Sequence, residues 1–216
     1  MTNPVIENIR RSLGRTAQIS SPRGTPLSPR PAIYESRQLE TTGTESTHFL
    51  EEVSKLSGVG RKLSPADVDA ALHILVQEQK IQRATAWETP YLRQLGITEI
   101  LNSQGVELVP PNADKHDMAL CDLGVTEADY LLPETGTLVL KSSAQQPRAV
   151  SLLPRVHLAI VRPTMLRPDL HQVFAEAKND HYLLFITGPS RTADIELTVT
   201  LGVHGPKNLY VWLVEE

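Results

Sequence analysis

The segment Val156–Val161 constrains the fold more than any other, because apolar side chains fill it except at His157. Its length is that of a β-strand, and a strand without alternating polar residues has to be covered on both faces. Strands of this kind are typical of parallel sheets that lie between two layers of helices. The segment therefore predicts a buried strand at the centre of an α/β fold.

Predicted strands and helices alternate along the rest of the chain. Strands are predicted over residues 83–87, 107–109, 130–132, 137–140, 182–186 and 209–214. Helices are predicted over about residues 45–57, from Ser64 onwards, over residues 90–95 and from Pro168 onwards. The last of these helices is expected to bury Leu170, Val173, Phe174 and Ala177. The alternation indicates a three-layer α/β fold with a largely parallel sheet.

The first part of the chain differs from the rest in composition. Asn3 and Pro4 are suited to start a short amphipathic helix that ends at Gly14, and a proline-containing, serine-rich stretch follows it as a flexible arm. The helix can pack on a neighbouring subunit, which would make a homo-oligomer, or it can fold back on its own core or fray. We therefore predict an N-terminal helix and arm over residues 1–44, followed by one α/β domain over residues 45–216.

Composition excludes several classes of protein. The formal net charge of −4 indicates no surface for nucleic acids or other polyanions. The apolar stretches are too short to span a bilayer, and residues 1–14 lack the apolar core of a signal peptide. Cys121 is the only cysteine, which rules out an internal disulfide and a cysteine-ligated iron–sulfur cluster built by this chain alone. A cytoplasmic protein without a cofactor of its own is therefore expected.

A tight turn at residues 134–137 is the first candidate for chemistry. Glu134 lies between two predicted strands, where a fixed backbone would present its carboxylate as a nucleophile or general base. The hydroxyls of Thr135 and Thr137 and the N–H of Gly136 could hold a carboxylate or phosphate ligand. The alternative is a plain hairpin turn with a solvated glutamate.

The second candidate, residues 188–196, follows a predicted buried strand. The residues predicted to bind a ligand there are Gly188, Ser190 and Thr192, and the catalytic candidates are Asp194 and Glu196. The turn is expected to open a helix whose first N–H groups point at an anion, with Arg191 adding positive charge. The pattern fits equally well with Ser190 or Thr192 capping a helix without a ligand, because capping and anion binding use the same N–H groups.

His204 and Gly205 lie in a third polar segment, residues 202–206. His204 is a candidate acid–base group or, with the two acidic residues of the second segment, a metal ligand. No familiar metal-binding spacing is present, so no metal is expected, and hydrogen bonding of His204 to the loop backbone is the other interpretation. His157 is more typical of a satisfied core histidine than of a catalytic one. Further candidates for anion contacts are Arg148, Arg155 and Lys207.

Five segments together resemble the lactate utilization protein C family, whose domain is called LUD. They are residues 124–130, 134–137, 151–157, 188–196 and 202–206. The resemblance implies a three-layer α/β/α, Rossmann-like fold similar to ribose-5-phosphate isomerase, glucosamine-6-phosphate deaminase and CoA transferases. It also implies a role in the bacterial oxidation of L-lactate to pyruvate, together with two partner proteins that carry the iron–sulfur and redox motifs.

Two functions follow as alternatives. In the first, the chain is the subunit without a cluster in a lactate-oxidising system, and it binds a small carboxylate or the partner proteins through the three polar segments. In the second, it is a stand-alone isomerase or CoA transferase that acts on a sugar phosphate or an acyl-CoA. CoA transferases of this superfamily use a glutamate in a Glu-x-Gly turn as a nucleophile, and Glu134 and Gly136 have that spacing.

Overall fold

A computed structural model of the protein describes residues 8, 11, 12, 37–180, 182–193 and 199–215. The chain divides into two compact units, Met1–Glu35 and Ser36–Glu216. In the first unit the three described residues are helical, and the rest of the predicted first helix and of the proline-containing arm lies outside the described residues. The predicted domain boundary between residues 44 and 45 therefore stays a prediction.

The second unit contains strands and helices in alternation. The strands are β1 (Val59–Leu63), β2 (Arg83–Ala86), β3 (Glu107–Leu108), β4 (Leu123–Glu127), β5 (Tyr130–Leu132), β6 (Thr137–Lys141), β7 (Val156–Val161), β8 (Leu183–Ile186), β9 (Arg191–Ala193), β10 (Val199–Leu201) and β11 (Asn208–Val214). The helices are α1 (Thr42–Lys55), α2 (Val68–Gln79), α3 (Pro90–Gln94), α4 (Ile97–Ser103), α5 (Lys115–Ala119), α6 (Ala149–Leu152) and α7 (Leu170–Glu176). Short 3₁₀ helices lie at Pro65–Asp67, Pro133–Thr135 and Pro163–Met165.

A parallel sheet of six strands forms the centre of this unit, in the order β1-β11-β7-β4-β2-β3. Strand β7 lies between β4 and β11, and all six of its residues are buried. Its position explains the apolar sequence of Val156–Val161, because helices cover the sheet on both faces. The predicted α/β fold with a largely parallel sheet is confirmed. It is a three-layer, Rossmann-like arrangement.

Local sequence signals account for the positions of several helices. The Ser64 hydroxyl donates to the Asp67 carboxylate over 2.6 Å, which closes the turn before helix α2. At the start of helix α3 the Thr89 hydroxyl accepts from the backbone N–H of Leu92, and Pro90 takes the first helical position. Helix α1 begins three residues earlier than predicted, at Thr42. Within the described residues no helix is both long and apolar enough to cross a bilayer.

A second, antiparallel sheet combines β5, β6 and β8. The tight turn predicted between the first two of these strands is confirmed: a 3₁₀ helix at Pro133–Thr135 is followed by Gly136 with φ of +59°. The turn packs on helix α1, and a Cβ at Gly136 would lie 2.6 Å from the backbone nitrogen of Val53. Glycine is needed there both for its positive φ and for this close approach.

Two predictions for the last third of the chain are wrong. The segment after Gly188 does not open a helix: Arg191–Ala193 form strand β9, which pairs with β10 in an antiparallel hairpin. Helix α7 buries Val173 as predicted, but Leu170 and Phe174 are exposed. Val173 and Ala177 pack on the second sheet, whereas the half-exposed Phe174 ring lies 5.9 Å from the ring of Phe185 on β8.

Candidate functional site

A cavity of about 210 Å³ lies where strands β7 and β11 begin and strand β8 ends. Its lining comes from the residues before β7, the loop after β8 and the loop before β11. The polar lining residues are Ser151, His157, Thr187, Ser190 and His204. Glycine and proline backbone at residues 188–189 and 205–206 completes the loop side of the cavity. The second and third polar segments singled out in the sequence therefore meet at the amino ends of two central strands.

Three threonine hydroxyls connect the turn after β5 to the loop after β8. The Oγ1 atoms of Thr135 and Thr137 are 2.7 Å apart, and those of Thr137 and Thr187 are 2.8 Å apart. These contacts bring the first and second candidate segments together, as a shared ligand site would require. The ligand-binding prediction for Thr135, Gly136 and Thr137 stays a prediction, since these residues adjoin the cavity through Thr187 and do not line it.

Backbone hydrogen bonds hold the second and third segments against each other. The N–H of Ser190 donates to the carbonyl of Pro206, and the N–H of Gly202 donates to the carbonyl of Ser190, both over 2.9 Å. A Cβ at Gly205 would lie 3.1 Å from the Cβ of Ser190, so a larger residue would crowd this contact. Gly188, Ser190 and Gly205 thus lie together at the cavity.

His157 lines the cavity and is buried, and within the described residues only one of its two ring nitrogens has a hydrogen-bond partner. Its side chain is 1% exposed, and its Nε2 lies 2.8 Å from the Thr126 hydroxyl on strand β4. Its Nδ1 has no hydrogen-bond partner in the part of the chain that the structure describes. Burial lowers the pKa of His157 from 6.5 to about 3, so the imidazole is neutral at physiological pH. The predicted core position of His157 is confirmed by its burial. Its Nδ1, however, lacks the hydrogen bond that a satisfied core histidine would make.

Gly124 sets the distance between helix α6 and the sheet beside His157. Gly124 on strand β4 pairs with His157 on strand β7, and a Cβ at Gly124 would lie 1.9 Å from the carbonyl oxygen of Val150. The helix can therefore approach the strand only because this residue has no side chain. Its close packing carries Ser151 to the cavity wall, where the hydroxyl donates to the carbonyl of Arg148 over 2.9 Å.

The structure describes two of the four predicted catalytic residues, Glu134 and His204. Glu134 is exposed and does not line the cavity, whereas His204 is exposed and does. Thr192 lies in strand β9, half-buried, and does not cap a helix. Asp194 and Glu196 lie outside the described residues. Among the described residues no three histidine, cysteine, aspartate or glutamate side chains are grouped as metal ligands.

The arginines proposed as anion contacts bind protein groups. Arg191 donates to the carbonyl of Leu56 and to the Ser57 hydroxyl at the end of helix α1. Arg155 pairs with Asp122 over 3.0 Å, and the guanidinium of Arg148 stacks 4.6 Å from the ring centroid of Tyr182. The described lining of the cavity consequently contains no lysine, arginine, aspartate or glutamate.

A second polar cluster, missed by sequence reasoning, lies at the carboxyl end of strand β4. Glu127 is 8% exposed and pairs with Arg162 over 3.3 Å, and the Arg162 guanidinium lies 4.4 Å from the ring centroid of Tyr91. Burial raises the pKa of Glu127, while Thr89 and Arg162 act in the opposite direction. The cluster adjoins the point between β2 and β4 where chain connections diverge, a common ligand position in such sheets. Glu127 does not line the cavity beside β7 and β11.

A parallel sheet covered by helices, with a loop-lined cavity beside it, defines a Rossmann-like α/β protein. The chain belongs to the LUD domain family, whose family model matches residues 61–214. The match includes β2 to β11 and every candidate site residue, and it confirms the family resemblance of the sequence.

Two relatives match over most of their length. A protein called lactate utilization protein C from Halalkalibacterium halodurans is 29% identical over 229 residues, which cover 98% of this chain and 96% of that protein. A protein of the same name from Shouchella clausii is 30% identical over 204 residues, covering 88% and 89% respectively. The crystal structure of a DUF162 family protein from Deinococcus radiodurans has a TM-score of 0.61 at 18% identity, covering 82% of this chain and 100% of that one. This structural similarity shows a common fold and nothing beyond the fold.

Proposed function

We propose that this protein takes part in bacterial lactate utilization, as a subunit that binds a small carboxylate. The observation that carries the proposal is the near-complete match to relatives called lactate utilization protein C, which leaves little of either chain unaligned. A protein that kept only a fold in common with these relatives would not be expected to align over 96% and 89% of their lengths.

The cavity supports a small organic acid as the ligand. Its volume of about 210 Å³ is below the range of roughly 300–1,000 Å³ that is typical of drug-sized ligands. The hydroxyl groups of Thr187 and Ser190 are available for hydrogen bonds, and leucine and proline side chains supply the apolar part of the wall. Lactate and pyruvate combine a carboxylate, one further oxygen and a methyl group, which fits this mixture.

Partner proteins with iron–sulfur clusters belong to the same proposal. Oxidation of L-lactate to pyruvate releases two electrons and two protons, so an electron acceptor is required. Cys121 is buried and is the only cysteine, so this chain alone cannot build a cysteine-ligated cluster. We propose that the electrons pass to cluster-carrying partners, while this subunit binds the acid or organises the complex.

Deletion of the gene tests the proposal in cells that carry it. Extracts of lactate-grown wild-type cells should reduce a dye when L-lactate is added, and the deletion should abolish this reaction. Complementation with the wild-type gene should restore it, whereas H157L should restore it only weakly at equal protein level. Affinity purification of the tagged protein from the same cells should recover iron–sulfur proteins. Undiminished lactate-dependent reduction in the deletion strain would remove the proposal.

The alternative of a CoA transferase with Glu134 as nucleophile makes a different prediction. E134Q would then abolish turnover of an acyl-CoA, and CoA esters would raise the melting temperature of the wild-type protein. The structure places Glu134 on an exposed turn beside helix α1 and outside the cavity, so the geometry gives this alternative no specific support.

A further inference from the structure

The hydroxyls of Thr135, Thr137 and Thr187 form a hydrogen-bonded chain that ends at the cavity. The Oγ1 of Thr137 lies 2.7 Å from that of Thr135 and 2.8 Å from that of Thr187. Thr137 is 5% exposed, whereas both end residues are exposed, and Thr187 lines the cavity. This hydroxyl chain therefore leads from the turn after β5, through a buried group, to a hydroxyl that is available to a ligand.

Each hydroxyl has a single proton, which limits how the hydroxyl chain can be arranged. Thr137 makes two contacts and can donate in only one of them. If it accepted in both, its own O–H would have no acceptor among the described residues, and a buried donor without an acceptor is costly. Thr137 therefore donates to one neighbour and accepts from the other, so all three O–H groups point the same way along the chain.

The two arrangements that remain differ in which end of the hydroxyl chain has a free proton. When the O–H groups point towards the cavity, Thr187 accepts from Thr137 and presents its own proton to the cavity. When they point towards the turn, Thr187 donates to Thr137, and Thr135 presents its proton to solvent. Both arrangements satisfy the buried hydroxyl, so a bound group that prefers one of them shifts the chain to it.

We propose that Thr137 is a positioning residue for an acid bound in the cavity: the Thr187 hydroxyl donates to the carboxylate, and the Thr137 hydroxyl donates to Thr187. The inference rests on the proposed function, since it assigns a carboxylate contact in the same cavity. A carboxylate has only acceptor atoms, so it selects the arrangement in which every O–H points towards it. Hydrogen bonds in a chain polarise one another, so donation from Thr137 strengthens the bond between Thr187 and the anion.

The composition of the cavity gives the hydroxyl chain its importance. The described lining contains no lysine or arginine, so neutral donors have to stabilise the charge of a bound carboxylate. A hydroxyl whose oxygen already accepts a hydrogen bond is a better donor than a hydroxyl alone. Thr137 therefore contributes to acid binding without lining the cavity, and Thr135, one hydrogen bond further away, contributes less.

Calorimetric titration of the full chain with L-lactate measures these contributions. T187V should weaken lactate binding by roughly 10- to 100-fold, the loss expected for a hydrogen bond to a charged group. T137V should weaken it by about 3- to 10-fold through the lost polarisation, and T135V by less than about 2-fold. T137S and T137A form a matched pair that differs only in the hydroxyl: T137S should bind lactate within about 2-fold of wild type, and T137A should behave like T137V.

A second titration with L-lactamide separates positioning from a general disturbance of the loop, because lactamide keeps the carbon skeleton of lactate and lacks its charge. A distorted site would lose affinity for both ligands, whereas lost polarisation should affect lactate at least about 3 times more than lactamide. If lactamide does not bind, restoration of lactate binding by T137S and not by T137A decides the question. Wild-type lactate affinity in T137A, equal losses for both ligands, or no lactate binding to the wild-type protein would overturn the proposal.

Failure of this inference can be told from failure of the proposed function. The gene deletion reports whether the protein is needed for lactate oxidation, whatever the role of Thr137. A lactate-negative deletion strain together with wild-type lactate affinity in T137A would retain the function and discard the positioning role. An unaffected deletion strain together with weakened binding in T137A, restored in T137S, would retain the hydroxyl chain as part of an acid site and discard the role in lactate oxidation.

Discussion

Acidification should destabilise this protein through His157. The pKa of this group is lowered to about 3 in the folded state by burial, and 6.5 is the ordinary value expected in the unfolded chain. Between these two pKa values the unfolded state binds a proton that the folded state does not. The contribution of His157 to the free energy of unfolding is therefore present in full well above pH 6.5, and it is lost progressively as the pH falls toward 3.

The size of the effect follows from the same two values. Each pH unit within the window changes the free energy of unfolding by about 1.4 kcal/mol, and the partial titration near pH 6.5 reduces the change between pH 7 and pH 5 to about 2 kcal/mol. The side chain is 1% exposed, so screening by solvent does not diminish this figure. A loss of this size is a large part of the stability of an ordinary domain.

Urea unfolding followed by tryptophan fluorescence measures the effect, because Trp87 and Trp212 are both buried. Wild type, H157Q and the control H73Q, which removes an exposed imidazole from helix α2, are compared at pH 7 and pH 5. Wild type and H73Q should lose about 2 kcal/mol more than H157Q on acidification. The carboxyls of the buried Glu127 and the half-buried Asp129, whose pKa values desolvation raises, titrate in all three proteins and cancel in the comparison. An equal loss in wild type and H157Q would refute the reasoning.

Three further predictions concern stability and can be measured in the same unfolding assay. G124A should destabilise the protein by about 3 kcal/mol or more, because the new methyl group would overlap the carbonyl of Val150. A cost below about 1 kcal/mol would mean that helix α6 can shift away from strand β4 at little cost. G136A should lower the free energy of unfolding by about 2–4 kcal/mol, because Gly136 has a positive φ and lies against helix α1. The control G43A, which places a methyl group in open space on that helix, should raise the free energy of unfolding by up to about 1 kcal/mol. E134A should change stability by less than about 0.5 kcal/mol, because the side chain is exposed, so any larger change would reveal a structural role for this carboxylate.

Sequence patterns were sufficient where burial alone determines the structure. Val156–Val161 is a strand with the predicted bounds, and the last strand, β11, begins one residue before its prediction. In both cases a segment of almost entirely apolar residues fits only a strand that is covered on both faces. The turn at Gly136 was predictable for a different reason, since the glycine and its neighbours fit a backbone shape that other residues resist.

Strand β4 could not be recognised from apolar content, because it contains Gly124, Thr126 and Glu127 at the centre of the sheet. Each of these residues has a reason that lies elsewhere in the chain: close packing of helix α6, the hydrogen bond to His157 and the ion pair with Arg162. Such long-range partners leave no periodic signal in the sequence. The same limit explains why the unsatisfied nitrogen of His157 was not foreseen.

The segment after Gly188 shows how one local pattern can serve two structures. Ser190 and Thr192 fit the start of a helix, but their backbone groups are taken up by a hairpin and by the loop before β11. Tertiary pairing therefore overrides the capping preference. The meeting of Thr137 with Thr187 likewise depends on the pairing of β6 with β8, which no spacing along the chain reveals.

The position of β11 between β1 and β7 has a consequence for how the chain is made. On the ribosome, residues 59–63 emerge early, yet the strand that pairs with them is residues 208–214. Until that segment leaves the exit tunnel, the edge strand β1 has no partner, the central strand β7 presents an unpaired edge, and the cavity lacks one wall. Strand pairing over such separations is slow and exposes the growing chain to aggregation. We therefore expect the domain to fold only after residues 208–214 have left the ribosome, and truncation within β11 to abolish folding altogether.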